Sequence, residues 1–176
     1  MTLEKHIVDT MKEWQIKMGS FDSNIRLYYP KNSLCHHLKL DTGIDNDKLC
    51  QTIEDYFSVK VKCLGKVRAS VEGDRFCVLV GKEGCDYVEK EIPKPEFLTK
   101  FLDILKSQNM KKIQDFFEDY AKQHGTEVCI CYEEESETIF YFENEMVEPY
   151  VYCIDRNEFG ITYHRFTKED YLDLGH

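Results

Sequence analysis

Cys35, His36 and His37 stand consecutively, and thiolate and imidazole are the side chains that hold zinc at short range. Successive helical residues point about 100° apart, so such a run spreads its donors around the axis instead of converging them on one ion. Cys129 and Cys131 lie two apart, which puts both sulfurs on one face of a strand, but no second pair at Cys-x-x-Cys spacing completes a site. The pattern assigns no metal ligand.

Asp41, Asp45, Asn46 and Asp47 offer the hard oxygens that calcium takes from a compact loop. Counted from Asp41 or Asp45, the sixth position is not Gly and the twelfth is not Glu, so helix capping is the better use for these side chains. Gly81-Lys82 fails as a phosphate loop, because Phe76 stands where its first Gly belongs and Glu83 where Ser or Thr belongs. Neither a Gly-x-Ser-x-Gly elbow nor a His-Glu-x-x-His helix occurs. No catalytic residue, metal or cofactor is assigned.

Tyr163-His164-Arg165 sets a titratable ring between a phenol and a cation. Strand alternation turns His164 away from its two neighbours, so chemistry there needs a carboxylate or another His from elsewhere, with Glu158 or Asp170 as the nearby choice. Arg26 and Tyr28, on a short extended segment, form a second candidate for anion recognition.

The elements that position these residues follow from hydrophobic spacing. Leu3, Ile7, Met11, Trp14 and Met18 make one helical stripe that Gly19 ends. A short strand or extended link leads through Tyr29 to Pro30. Ser33 is the expected N-cap of a short helix with Leu34 and Leu38, and Asp45 or Asn46 caps a longer one with Leu49, Ile53 and Phe57. From Lys66 the period becomes two. A hairpin centred on Gly73-Asp74 then sets Val71 opposite Phe76, Ala69 opposite Val78 and Val67 opposite Val80, with Glu72 beside Arg75. After Pro93 and Pro95, one helix carries Phe97, Leu98, Phe101, Leu102 and Leu105. A second, from Asn109, carries Met110, Ile113, Phe117 and Tyr120 and closes at Gly125.

Aromatic and branched residues crowd Val128 to Tyr132, Ile139 to Phe142, Tyr150 to Ile154 and Ile161 to Phe166, an antiparallel meander. If the intervening loop holds an even number of residues, Cys129, Cys131, Phe140 and Phe142 share one face and Ile130, Tyr132, Ile139 and Tyr141 the other. Both faces are then apolar and need either cover on both sides or a role as an exposed recognition face. Thr167 and Asp170 start a terminal helical turn anchored by Tyr171, Leu172 and Leu174.

The fold class is α+β: N-terminal helices, a β-hairpin (about 66–80), a helix pair (about 95–124), an antiparallel β-meander (about 126–166) and a short C-terminal helix. With 176 residues and 42% hydrophobic composition, one domain over 1–176 is expected, mainly helical in 1–57, with hairpin, helix pair and meander in 58–176.

Ile25-Arg26-Leu27-Tyr28-Tyr29-Pro30 with Ser33-Leu34, and Phe159-Gly160 leading to Tyr163-His164-Arg165-Phe166, resemble an uncharacterised bacterial domain-of-unknown-function family. The resemblance follows the helix, hairpin, helix and meander order along most of the chain. It implies a small bacterial cytosolic protein and no particular activity.

A net charge of −10 argues against nucleic-acid and anionic-membrane partners, which reward clustered Lys and Arg. Between Lys122 and Arg156 there is neither Lys nor Arg. The N-terminal stretch has neither a signal-peptide core nor a membrane span, and the eight cysteines fit free thiols of a cytoplasmic chain. The expected function is a non-catalytic interaction module. Its acidic turns and a tyrosine-bearing sheet face (Tyr132, Tyr141, Tyr150, Tyr152, Tyr163) meet a basic or neutral protein partner. The alternative is an enzyme or small-ligand binder whose pocket gathers His164, Arg165, Arg26 and His37.

Overall fold

Thr2 accepts a hydrogen bond from the Lys5 amide and opens α1, Leu3–Met18. In the computed structural model, which describes residues 1–19, 23–132 and 136–173, the elements that follow form two compact units, Met1–Lys94 and Pro95–His176.

In the first unit, β1 (Ile25–Tyr29) leads to α2 (Lys31–Leu38), α3 (Asn46–Lys60) and a 3-10 turn (Lys62–Leu64). The hairpin β2 (Val67–Glu72) and β3 (Arg75–Val80) and then α4 (Lys82–Glu91) complete it. The sheet order is β1-β3-β2, all antiparallel. The hairpin has the register read from the sequence, Val71 against Phe76 and Glu72 against Arg75. Gly73 supplies the φ of +66° that the first turn position requires. Alternation sends Ile25, Leu27, Tyr29, Phe76, Val78 and Val80 inward against Leu3, Ile7, Met11, Leu49, Ile53 and Phe57.

Three local expectations change. Helix α2 starts at Lys31 with Pro30 in the N-cap position, so Ser33 is a buried first-turn residue and not the cap. Pro30, at φ −67° and without an N–H, suits the position just before a helix. Trp14 and Met18 of α1 are exposed, while Lys12 and Gln15 are buried. The reason is polar: the Gln15 amide donates to the Cys85 carbonyl at 2.9 Å and the Lys12 ammonium to the Val88 carbonyl at 3.0 Å, both on α4. Helix α4 itself has no counterpart in the sequence reading. Only Gly84, Cys85 and Val88 of its ten residues are buried, too narrow a stripe to register as a period.

The second unit begins with α5 (Glu96–Leu105) and α6 (Met110–Gln123), where the Asn109 side chain accepts from the Lys112 amide. The meander is β4 (Val128–Tyr132), β5 (Glu137–Phe142), β6 (Tyr150–Asn157) and β7 (Gly160–Thr167), antiparallel in the order β4-β5-β6-β7. Helix α7 (Lys168–Asp173) follows at once. The Thr167 hydroxyl accepts from the Asp170 amide at 3.1 Å and donates to its carboxylate at 2.8 Å. Leu174, expected as an anchor of this helix, lies outside the described residues.

Candidate functional site

Register decides which side chains of the meander meet. Cys129 stands opposite Tyr141, Cys131 opposite Ile139 and Ile130 opposite Phe140. The two cysteines therefore share a face with Ile139 and Tyr141, and not with Phe140 and Phe142 as the even-loop expectation had it. Tyr132 pairs with Thr138, residues of equal parity, and alternation along each strand leaves that offset open until the pairing is known.

One face meets the helix pair. Phe117 of α6 stacks on Phe140 at 4.5 Å, and Phe97 and Phe101 of α5 lie edge-on to Tyr152 at 5.4 and 5.1 Å. Tyr150, Tyr152 and Tyr163 belong to this face. Tyr150 and Tyr152 are buried, and the Tyr152 hydroxyl donates to Glu148 at 3.2 Å. Half-buried Tyr163 lies 4.9 Å from the Phe101 ring. The other face holds Ile139, Val151 and Cys153, packed by Tyr141, Phe166 and Tyr171 of α7. Tyr141 is half-buried there, with Lys168 over its ring at 5.5 Å; a side-chain hydrogen bond with Cys129, together with burial, pushes its phenol above the ordinary range. Tyr132 is 71% exposed at the end of β4.

The remaining candidates distribute as follows. Arg165 and His164 project from opposite faces of β7: Arg165 lies over the Tyr150 ring at 4.0 Å, and exposed His164 sits beside Phe166. Arg26 and Tyr28 belong to the first unit, on the outward face of β1. The Tyr28 hydroxyl donates to Glu72 at 2.9 Å and Arg26 lies 3.4 Å from the same carboxylate. The Tyr28 bond and then the Glu72 charge raise the Arg26 pKa, so this cation already faces an anion of its own sheet. On α2, Cys35 and His37 are buried and His36 is exposed. Asp45 caps α3 by accepting from the Asp47 and Lys48 amides. All eight cysteines are free thiols, with Cys35, Cys77, Cys85 and Cys153 buried and Cys63 and Cys131 exposed.

Topology brings one further feature into view. β4 is an edge of the meander, paired among the described residues only with β5. Its sequence, Val-Cys-Ile-Cys-Tyr, makes it the one described strand without a charged residue. Edge strands are ordinarily guarded by Lys, Pro or a bulge, because their open N–H and C=O groups template further pairing. All five β4 residues are half-buried or exposed. Their surroundings are acidic: exposed Glu127 precedes the strand, its carbonyl accepting from the Glu143 amide at 3.0 Å, and Glu133, Glu134 and Glu135 follow in the sequence. Residues 1–94 hold fifteen Lys and Arg against fifteen Asp and Glu, whereas residues 95–176 hold eight against eighteen. The whole surplus of negative charge thus lies in the second unit. The sequence signal for this site is a five-residue uncharged run inside an acid-rich stretch; its edge position needed the strand order.

An α+β architecture, with a three-stranded and a four-stranded antiparallel sheet and an open uncharged edge in an acidic unit, is the class that these observations define. The chain belongs to the family described as a domain of unknown function named from E. rectale, a bacterium (DUF3877), whose model matches residues 1–175. No curated protein and no solved structure matches it. Among the described residues no helix is long and apolar enough to cross a membrane.

Proposed function

We propose that this is a non-catalytic protein-interaction module of the bacterial cytosol. Strand β4 accepts an extended segment of a basic partner as a fifth strand of the meander. The observation that carries this is the absence of any charged residue from an exposed edge strand bounded in sequence by acids. Main-chain hydrogen bonds of such an added strand supply affinity, and side chains on alternate positions supply selectivity. Exposed Tyr132 adds an aromatic contact with a wet hydroxyl. The acidic flanks select Lys or Arg on either side of the docking segment and speed its encounter. They also disfavour a second copy of this chain, since antiparallel self-pairing would bring acidic flanks together. Eight free thiols suit a reducing compartment.

The test uses two synthetic peptides, each with five alternating Val and Thr residues, one flanked by paired lysines and the other by paired glutamates. Fluorescence anisotropy with the full chain is expected to give tighter binding of the lysine-flanked peptide, weakening as salt rises. Equal affinities for the two, or binding unchanged when Cys131 and Tyr132 are both replaced by Lys, would remove β4 and its acidic surroundings as the docking site.

A further inference from the structure

We infer that the outward face of the three-stranded sheet is a further docking surface, one that takes a short acidic segment of a partner protein through Arg26, Arg68 and Arg75. Only five of the chain's 23 Lys and Arg are arginine, and three of those five stand here. The strands β1, β2 and β3 carry no lysine and a single acid, Glu72. That bias matters because a guanidinium presents a planar fork that matches a carboxylate, whereas an ammonium is a compact point charge. Alternation turns all three arginines away from the core-facing Leu27 and Val78, and all three are exposed.

This face already holds one carboxylate. Glu72 reaches from β2 across β3 to β1, where the Tyr28 hydroxyl donates to it at 2.9 Å and Arg26 lies 3.4 Å away. Arg68 and Arg75 have no such anion: among the described residues neither side chain makes a hydrogen bond or an ion pair. Register puts Arg68 four residues from Glu72 along β2 and sets Glu72 opposite Arg75, so the backbones of the two arginines are about 14 Å apart. An extended chain covers that span between its residues i and i+4, whose side chains fall on one face. Ser70 is the outward residue of β2 between Arg68 and Glu72, small enough to leave the path open. Half-buried Leu79 and Tyr28, 45% exposed, supply apolar contact beside it.

Charge selects the occupant. The chain's net −10 weighs most on a polyphosphate strand or an anionic bilayer and least on a segment with two or three carboxylates. A basic segment is turned away by the same three cations that attract an acidic one. The surface belongs to the first unit and rests on no feature of β4.

The experiment uses the full chain and labelled peptides of alternating Val and Thr that carry either Glu or Gln at two positions four apart. Anisotropy is expected to show the Glu peptide binding roughly tenfold or more tightly than the Gln peptide, with a preference that fades as salt rises. R68Q/R75Q should abolish that preference, and R156Q, which removes an exposed arginine of the second unit, should keep it. Equal affinities of the two peptides for the parent chain overturn the proposal, whether or not the variants fold. So does a Glu preference that survives in a folded R68Q/R75Q variant. Tighter binding of oligothymidylate or of phosphatidylserine vesicles than of the Glu peptide overturns it as well, in favour of a phosphate-bearing ligand.

Discussion

The Lys12 ammonium of α1 lies 3.0 Å from the Val88 carbonyl oxygen and 3.2 Å from that of Glu89, closing the C-terminal turn of α4. Hydrogen bonds to a charged group contribute about 1.5–3 kcal/mol, and K12M leaves those carbonyls without their cation. Urea unfolding should show a loss of that size. Burial, then the charge of Lys94, lowers the Lys12 pKa below its ordinary 10.5, against a smaller opposing pull from Glu89. A lysine whose folded pKa lies below its unfolded one carries a penalty that is full at neutral pH and fades as pH rises past the folded value towards 10.5. The stability advantage of the parent chain over K12M should therefore widen across that alkaline window. A shrinking advantage would contradict the desolvated placement of Lys12.

Gly84 of α4 is set against the sheet so closely that a β-carbon would fall 2.5 Å from Val80 Cγ1 and 2.6 Å from the Leu64 carbonyl oxygen. In an open helix Gly→Ala stabilises by about 0.8–1 kcal/mol. Overpacking at a rigid backbone neighbour reverses that sign, at about 1–3 kcal/mol. Thermal melts of G84A should thus fall below those of the parent chain; a rise would mean that α4 can withdraw from the 3-10 turn.

Tyr152 and Tyr132 test two different roles for tyrosine in the same sheet. Tyr152 is 0% exposed within a ring of Phe97, Phe101 and Phe117, so Y152A should destabilise by about 3–5 kcal/mol, as other buried aromatic truncations do. Exposed Tyr132 packs far less, and Y132A should stay within about 0.5 kcal/mol of the parent chain. Y132A should nevertheless lose affinity for the lysine-flanked peptide. Chemical unfolding and anisotropy on both variants separate the two effects.

Much of this architecture was legible because local rules carried it. Gly73-Asp74 centres a symmetric run of alternating residues, Asp45 and Asn109 precede apolar stripes, and each meander strand is dense in branched and aromatic residues. What escaped depended on partners distant in sequence. Lys12 and Gln15 read as surface residues until α4 supplies carbonyls for them. Cys129 and Phe140 are each correctly alternating within their own strands, but only the pairing of Tyr132 with Thr138 fixes that they face apart. The same limit applies to the site: the uncharged run Val128–Tyr132 is visible in the sequence, but its place at the edge of the sheet follows only from the strand order.

Amide hydrogen exchange of the full chain, with and without the lysine-flanked peptide, interrogates the docking edge residue by residue. Slowed exchange at alternate amides of Val128–Tyr132, with β7 unaffected, is the expected result. Saturating peptide that leaves β4 exchange unchanged, or that protects β7 instead, would contradict strand addition at β4.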